Sequence, residues 1–266
     1  MGRAELLPAA GAAFDAIAES FDATFDPWLS VAAQRRSVRA ELLAAFPEGA
    51  RLLEIGGGTG TDAAWLEERG RRVFLTDASP AMVAAARRKI GPRAEAIAAE
   101  NLAALVCRGV RFDGAYSNFA ALNCVADLEP VGQALAKLVR PGGRLVLVLF
   151  GRCSPGEIVT EAIRGRPRNC FRRFRSGPAA ASLRGRRFTV RYHRRTEIER
   201  AMAPGFRPIG SKAIGLFVPP SAAEPWISRH PRFLEQLRRL DRSLSRPLAA
   251  FGDHVLYRFV RTGEPA

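Results

Sequence analysis

The sequence contains few residues of the types that build disulfide frameworks or metal sites. Its 266 residues include 4 cysteines and 3 histidines. No two cysteines form a C-x-x-C pair, and no histidine stands at metal-ligand spacing from them. In a chain of this length we therefore expect free thiols, and neither a disulfide scaffold nor a bound metal. The four cysteines are Cys107, Cys124, Cys153 and Cys170.

Long hydrophobic runs are also absent. The longest apolar stretch, residues 145–151, is far shorter than the ~20 residues that a membrane-spanning helix needs. Near the N-terminus Glu5, Pro8 and Asp15 interrupt a stretch of small apolar residues, which argues against a secretory signal. Apolar residues make up 47% and charged residues 25%, so disorder, collagen and coiled coil are excluded. We expect a cytoplasmic, folded protein without a membrane partner.

Lysine is scarce as well, and the positive charge is unevenly distributed. Only 3 of the 41 basic residues are lysines, and the net charge is +15. Residues 1–150 carry 17 basic and 17 acidic side chains, whereas residues 151–195 carry 13 basic and 2 acidic ones. The preference for arginine and alanine suggests a GC-rich coding sequence. Part of the excess charge is therefore compositional.

Short apolar runs alternate with helical patterns between residues 30 and 150, which predicts βαβ units and a mostly parallel sheet. Two helices, at 14–29 and 31–46, precede this region. Further helices are expected at 61–69, 79–88 and 128–139, the last ended by Pro141-Gly142-Gly143. The predicted strands are residues 52–55, 73–76, 94–98, 112–117 and 145–150.

The alternation stops after Gly151. Residues 152–187 are rich in Arg, Gly, Pro and Ser and look like an insertion without sheet elements. Regular patterns return beyond it, and they predict strands at 188–193, 207–215 and 254–260 and helices at 196–202 and 231–246.

A glycine-rich turn, E-I-G-G-G-T-G at residues 54–60, directly follows a predicted strand and precedes a helix. Such a turn lets the backbone approach a ligand, with helix N-terminal amides pointing at it. The dinucleotide fingerprint G-x-G-x-x-G would need its third glycine at Thr61. Glu54 would also repel a pyrophosphate and favour a cationic group such as an ammonium or a sulfonium. We therefore expect no binding of NAD(H).

Asp77 ends the second predicted strand, 21 residues beyond Gly56. A carboxylate there can accept hydrogen bonds from both hydroxyls of an adenosine ribose. Capping of the helix that begins at Ser79-Pro80 is the alternative role. The combination with the glycine-rich turn favours the ribose contact.

At these positions the sequence resembles the class I S-adenosylmethionine-dependent methyltransferases. Residues 53–62 resemble the first family motif, residues 75–82 the second, and residues 112–118 the strand beside the transferable methyl group. Residues 138–149 are similar to the segment that leads into the fifth strand. The resemblance covers roughly residues 14–150. It implies S-adenosylmethionine as cofactor, contacted by Glu54, Gly56, Gly57, Gly58, Gly60, Asp77, Ala78, Met82, Glu100, Asn101 and Asn118.

The resemblance also implies the architecture. The fold class is α/β, Rossmann-like and doubly wound, with an N-terminal helical lid and a cap insertion after the fifth strand. We expect one domain over residues 1–266. Its parts are the lid at 1–48, which contains Phe14-Asp15 and Phe21-Asp22, the cofactor-binding core at 49–150, the Arg-rich cap at 151–195, and C-terminal strands and a helix at 196–266 that complete the sheet.

One position departs from the family pattern. Many members carry an Asp after the third strand, where it meets the adenine amino group, and Ala98 stands at the aligned position here. Glu100, the backbone or water would then meet that amino group.

No catalytic residue is evident, because members of this class share none. The candidates to contact the acceptor are Phe21, Asn123 and His193, while His230 and His254 are expected to be structural. The function that the resemblance implies is methyl transfer to a small molecule, anionic or aromatic and quinone-like, in specialised metabolism. An RNA methyltransferase and a cofactor-binding regulator without turnover are the alternatives.

The Arg-rich cap allows three interpretations. It is a solvated surface, a cap that selects an anionic or planar acceptor, or a nucleic-acid surface in which arginines alternate with Phe171 and Phe174. The neutral core and the lack of a known RNA-binding module argue against the last. We therefore expect a small-molecule partner in preference to a nucleic acid.

Overall fold

A computed structural model describes residues 9–175, 177–203 and 205–263. The α-helices in these ranges are α1 (Ala9–Asp15), α2 (Ala18–Phe25), α3 (Leu29–Ala45), α4 (Thr61–Glu67), α5 (Pro80–Ile90), α6 (Ala103–Cys107), α7 (Glu129–Leu138), α8 (Pro155–Ile163), α9 (Pro167–Cys170), α10 (Arg195–Met202) and α11 (Pro231–Leu244). The strands are β1 (Arg51–Ile55), β2 (Arg72–Asp77), β3 (Ala94–Ala96), β4 (Phe112–Ser117), β5 (Val139–Phe150), β6 (Pro178–Leu183), β7 (Arg186–Arg191), β8 (Phe206–Ile214) and β9 (His254–Arg261).

Seven strands form one sheet in the order β3-β2-β1-β4-β5-β9-β8. Strands β1 to β5 are parallel, and β9 runs antiparallel between β5 and β8. The predicted doubly wound, mostly parallel sheet is therefore confirmed. The strand order reverses between β1 and β4, and ligands of such sheets bind beside that switch point, at the carboxyl ends of the strands.

Both faces of the sheet are covered, which explains the uninterrupted apolar run in β5. Leu145, Leu147 and Leu149 pack on one face with α7, whereas Val146 and Val148 pack on the other with α3. All five side chains are buried. Parallel strands that are covered on both faces read as continuous hydrophobic segments. No helix within the described ranges is long and apolar enough to cross a membrane.

Two expectations about element boundaries were wrong. The first 46 residues contain three helices in their described part, because the chain leaves helical geometry at Ile17, between α1 and α2, and again beyond the end of α2 at Phe25. In addition, Pro141-Gly142-Gly143 lies inside β5 instead of before it. The register between β4 and β5 shifts at this point, between Phe112 and Gly114, so the strand passes through an irregularity.

The expectation that residues 152–187 lack sheet elements was also wrong. Strands β6 and β7 form an antiparallel hairpin, separate from the main sheet. The two residues between them, Arg184 and Gly185, have φ angles of 45° and 82°. Positive φ at both central positions is the geometry of the tight hairpin turns that match strand twist. The predicted strand at 188–193 therefore pairs within the cap.

Candidate active site

The glycine-rich turn lies at the switch point of the sheet, between β1 and α4. The amides of Gly56 and Gly57 both donate to the carbonyl of Thr76, at 2.7 and 3.1 Å. Gly56 has a φ of 66°, and a Cβ on it would overlap Ala121. Gly58 also has a positive φ, of 55°, but no atom lies within 4 Å of the place of its Cβ. The turn thus packs tightly on the sheet side and faces open space on the other.

Glu54 is the penultimate residue of β1, directly beneath this turn, and is almost fully buried, with 2% of its surface exposed. Its Oε2 has no hydrogen-bond partner among the described residues. Burial raises the pKa of Glu54 well above its usual range, and the nearby charge of Asp62 raises it further. An unpartnered buried carboxylate is costly unless a cation or donor reaches it. The site therefore fits a ligand with a positively charged group.

Asp77 stands at the end of β2, opposite the turn. Its two oxygens accept backbone hydrogen bonds, Oδ2 from Gly58 at 2.9 Å and Oδ1 from Ser79 at 2.8 Å. Burial raises the pKa of Asp77, although these amides act in the opposite direction. The carboxylate both fixes the turn and keeps lone pairs that can accept from a ligand, because each oxygen has more than one.

The segment after β4 carries the predicted contact Asn118 and a strained backbone. The Asn118 side chain is buried; its Nδ2 donates to Asp62 at 2.7 Å, and its Oδ1 accepts from the Phe119 amide at 2.9 Å. Phe119 and Ala120 have φ angles of 44° and 66°. Non-glycine residues in this region of φ and ψ are strained, and such residues cluster at functional sites.

The remaining predicted cofactor contacts lie around this edge of the sheet. Met82 is buried at the start of α5, where its amide donates to Ser79 Oγ at 3.1 Å. Ala78 immediately follows Asp77, and Gly60 precedes α4. Glu100 and Asn101 are exposed, in a 3-10 turn after β3. Their contacts with a cofactor stay predictions.

Cys124 is a neighbour of this site that sequence reasoning did not select. Burial raises the pKa of its thiol to about 11, and the nearby charges of Glu100 and Asp77 contribute to that shift. The thiol therefore lies on the side of the site where the adenosine contacts are predicted. No sequence signal marks a lone cysteine for such a place. No cluster of His, Cys, Asp and Glu side chains that could hold a metal occurs in the described part of the chain.

Two aspartates connect the N-terminal helices to the site, and their structural role was not predicted. Asp15 accepts from Ser79 Oγ at 2.9 Å and from the Ala81 amide at 2.8 Å, at the start of α5. Asp22 accepts from the hydroxyl of Thr59, in the glycine-rich turn, at 2.6 Å. We call α1 and α2 the lid helices, because these two contacts hold them across the turn.

Phe21, a predicted acceptor contact, belongs to a chain of rings on the lid helices. Its centroid lies 6.4 Å from that of Phe14 and 4.7 Å from that of Phe25. Phe14 also contacts Phe188 of the cap hairpin, with centroids 5.9 Å apart. The lid helices and the cap therefore meet over the same edge of the sheet.

Asn123 and His193, the other two predicted acceptor contacts, both form hydrogen bonds within the protein. Asn123 donates to the carbonyl of Arg191 at 2.7 Å and accepts from the Phe150 amide at 2.9 Å. The His193 ring lies 3.0 Å from the carbonyl of Val125 through Nε2, and burial lowers its pKa. Both side chains join the cap to the core, and their contact with an acceptor stays a prediction.

Arg173 shows that the Arg-rich cap is not simply a solvated surface. Only 4% of this residue is exposed. Its guanidinium donates to the carbonyl and the Oδ1 of Asp253, both at 2.6 Å, and it forms an ion pair with Glu157. It also lies 4.8 Å above the ring of Phe150. One arginine of the cap is therefore an anchor to the sheet, which arginine content alone does not reveal.

The fold and the site together define a class. A doubly wound sheet, a glycine-rich turn at its switch point and acidic residues at the ends of β1 and β2 are features of a nucleotide-type cofactor site. Residues 52–143 match a protein-family model described as "Methyltransferase domain". The segment from β1 into β5 is therefore similar to a methyltransferase domain.

Three comparisons give this assignment its context. The chain is 34% identical over 160 residues to a demethylmenaquinone methyltransferase of Beutenbergia cavernae, which covers 57% of this chain and 61% of the relative. It is similar in structure to an S-adenosylmethionine-dependent methyltransferase of Mesorhizobium loti, with a TM-score of 0.53, 21% identity, and coverage of 86% and 98%. It is also similar to the 1,6-didemethyltoxoflavin-N1-methyltransferase of Burkholderia thailandensis, solved with that compound and S-adenosylhomocysteine, with a TM-score of 0.50, 21% identity, and coverage of 99% and 94%.

The likeness to these structures establishes the fold alone, because the identities are low. The chain spans 28% to 62% of the length of the curated relatives it matches. Its substrate and its partners are therefore matters for proposal.

Proposed function

We propose that the protein transfers a methyl group from S-adenosylmethionine to a small-molecule acceptor. The observation that carries the proposal is the buried carboxyl group of Glu54 beneath the glycine-rich turn, whose Oε2 has no hydrogen-bond partner among the described residues. An ammonium group is the ligand feature that such a carboxylate accommodates. Asp77, at the end of the neighbouring strand, is suited to ribose hydroxyls.

The chemistry divides between cofactor and protein. When bound, S-adenosylmethionine supplies a methyl group that its sulfonium already makes electrophilic. The protein has to place the acceptor in line and keep water away. Proximity and orientation can contribute on the order of 7–11 kcal/mol to such a reaction. Glu54, Asp77 and Asn118 would orient the cofactor, and the lid helices would exclude water from it.

A small-molecule acceptor is supported by the surroundings of the site. The rings of Phe119 and Phe150 lie at the carboxyl ends of β4 and β5, beyond Asn118. The lid helices and the cap hairpin close the same edge through Phe14 and Phe188. Such an enclosed aromatic surrounding suits a small planar molecule better than a nucleic-acid strand. Two of the relatives are named for small molecules, demethylmenaquinone and 1,6-didemethyltoxoflavin.

The cofactor site is tested by calorimetry with S-adenosylhomocysteine, which keeps the ammonium group and the ribose. Glu54→Gln should weaken its binding by about 10-fold to 100-fold, because a hydrogen bond to a charged group contributes about 1.5–3 kcal/mol. Glu129→Gln, an exposed glutamate at the start of α7, is the matched control. Equal affinity in all three proteins would refute the proposed cofactor site.

Turnover is tested separately. Release of S-adenosylhomocysteine in the presence of a panel of phenols, quinols and heteroaromatic amines distinguishes an enzyme from a binding protein. A protein that binds the cofactor tightly but releases no product with any acceptor would support the alternative of a regulator.

A further inference from the structure

The Asp253–His254 pair lies at the carboxyl edge of the sheet, outside the predicted cofactor contacts. His254 is the first residue of β9, and it pairs with Phe150 at the end of β5 and with Ile214 at the end of β8. The alternation of side chains along the strands places Phe150, Val148 and Val146 on the α3 face. His254 lies on that face as well, next to the segment that follows β4.

Aromatic rings hold the imidazole of His254 in place. It stacks on Phe150, with centroids 4.7 Å apart and an interplanar angle of 25°. Phe119 meets it edge to face, at 5.8 Å and 88°. Phe119 directly follows Asn118, and it and Ala120 are the two residues of this segment with strained backbone. The ring is thus connected to the cofactor side of the site through one strained segment.

The two ring nitrogens of His254 differ in their surroundings. Nδ1 is buried 3.3 Å from Oδ2 of Asp253, at ion-pair distance but without the geometry of a hydrogen bond. Nε2 makes no hydrogen bond with any described residue, and it is not among the fully buried polar atoms. By contrast, His193 binds the Val125 carbonyl through Nε2, and His230 binds the Trp226 carbonyl through Nδ1. His254 differs from both, because neither of its ring nitrogens binds a backbone carbonyl of a described residue.

The charges around the pair keep Asp253 ionised. Burial alone would raise the pKa of Asp253, but its neighbours His254 and Arg173 outweigh this effect and hold that pKa well below its usual range. Gln34 of α3 adds a weak hydrogen bond to Oδ2 at 3.4 Å. The other charged groups packed nearby are Glu157 of α8, which pairs with Arg173, and Arg35 of α3, which lies 5.8 Å from the ring of Phe119.

We propose that His254 is the general base of the methyl transfer, and that Asp253 is its positioning residue. The acceptor is then a planar aromatic compound with an ionisable O–H or N–H group that lies against Phe119. Its oxygen or nitrogen lone pair forms the bond to the methyl carbon while the carbon–sulfur bond breaks and its electron pair stays on sulfur. The acceptor proton moves to Nε2 of His254. This inference rests on the proposed function.

The order of the elements explains why the sequence does not indicate this role. His254 lies more than 130 residues beyond Asn118, and only the antiparallel insertion of β9 beside β5 brings the two edges together. An aspartate that holds a histidine so that the other ring nitrogen can accept a proton is a known arrangement in hydrolases. A general base within hydrogen-bond reach contributes typically about 10²–10⁴-fold to a rate.

The test uses 4-nitrophenol as the probe, with saturating S-adenosylhomocysteine, at a pH below the ionisation of the free phenol. We expect the parent protein to bind the probe as the yellow phenolate, with its proton on His254. In His254→Gln the ratio of bound phenolate to bound phenol should fall by about 10-fold or more, because an adjacent opposite charge shifts such an ionisation by about one to three pKa units. His230→Gln, which removes an exposed histidine, should leave the ratio unchanged.

A second measurement does not depend on colour or turnover. The chain has 3 histidines, so the imidazole nitrogen spectrum of labelled protein is simple, and each signal is assigned by the loss of one histidine. Addition of the probe should move the His254 signals to the doubly protonated position and leave the other two in place.

The outcomes separate this inference from the function on which it rests. Failure of the parent protein to bind S-adenosylhomocysteine would refute the proposed function. Normal binding of S-adenosylhomocysteine with no bound phenolate in the parent would overturn the role of His254. Equal phenolate in parent and His254→Gln, both binding S-adenosylhomocysteine normally, would overturn it as well.

Discussion

Asp22 of α2 and Thr59 of the glycine-rich turn are joined by a hydrogen bond of 2.6 Å, from the threonine hydroxyl to Oδ1 of the carboxylate. The other carboxylate oxygen lies 2.6 Å from Nζ of Lys89 on α5. Burial alone would raise the pKa of Asp22. The hydrogen bonds from Lys89 and Thr59 and the positive charge of Lys89 outweigh this effect, so the pKa is lowered. The Asp22 side chain therefore joins the lid helix α2 to the glycine-rich turn and to α5.

We expect Asp22→Asn to loosen the lid. The effect on binding of S-adenosylhomocysteine should be at most about fivefold, because partly exposed ion pairs contribute about 0.2–1 kcal/mol. Most of it should appear as faster dissociation in stopped-flow measurements. Glu19→Gln, on the same helix, is the control. Identical dissociation rates for parent and Asp22→Asn would mean that the lid is held elsewhere.

Asp77→Ala should weaken the binding of S-adenosylmethionine by roughly 1–3 kcal/mol, the range for hydrogen bonds that involve a charged group. Calorimetry on parent and variant measures the difference. The variant also loses the acceptor for the amides of Gly58 and Ser79, so its thermal unfolding must be recorded alongside. Asp113→Asn, at the opposite end of the sheet, is the control. Unchanged affinity in a folded Asp77→Ala protein would place the ribose somewhere else.

Arg173→Met should destabilise the fold by about 3–5 kcal/mol, because buried Asp253 loses its guanidinium partner, while Glu157 keeps its ion pair with Arg172. Arg172→Ala removes an arginine whose side chain is 45% exposed and should cost about 1 kcal/mol or less. Denaturant unfolding of the two variants measures this contrast. Equal losses in both would contradict the assignment of Arg173 as the anchor of the cap.

The same pair of variants has a pH signature. The pKa of Asp253 is lowered in the folded protein, so the stability that it contributes is present above the unfolded-state value of 3.8 and is lost as pH falls through the folded-state value. Removal of Arg173 removes one cause of that lowering. Acid unfolding of Arg173→Met should therefore begin at a higher pH than that of the parent, whereas Arg172→Ala should follow the parent.

RNA binding by the cap is predicted to be weak and non-specific. If the exposed arginines followed a phosphate backbone, the log–log dependence of affinity on salt would have a slope of about −0.7 per phosphate contacted. Fluorescence anisotropy at roughly 50 and 200 mM salt measures this slope. The informative variant neutralises Arg164, Arg166 and Arg168, which are all exposed. Submicromolar binding with a steep slope that this variant flattens would favour an RNA substrate.

The cap shows why charge counting has limits. Arginine content was the only sequence signal in this segment. It was compatible with three interpretations: a solvated surface, a cap that selects the acceptor, and a nucleic-acid surface. In the fold Arg173 is an interior residue, while Arg164, a few residues earlier in the chain, is exposed. Both residues are arginines, so residue type cannot distinguish them. Arg173 is buried where it pairs with the carboxylates of Asp253 and Glu157.

The sequence by itself determined the parts of this protein that depend on local order. One continuous stretch contains the glycine-rich turn after β1, the carboxylate at the end of β2 and the alternating apolar segments. Consecutive elements in this stretch are joined by short connections, so their sequence pattern predicts how they are arranged. The sheet and the cofactor class followed from that stretch.

The tertiary structure decided what joins distant segments. The pairs Asp22–Thr59, Arg173–Asp253 and His254–Phe119 span 37, 80 and 135 positions. No local sequence pattern marks any of these pairs, because each forms between side chains that are far apart in the chain and come together only in the folded protein. Whether they meet depends on where β9 enters the sheet and how the lid and cap pack on its edge, and these are properties of the whole fold.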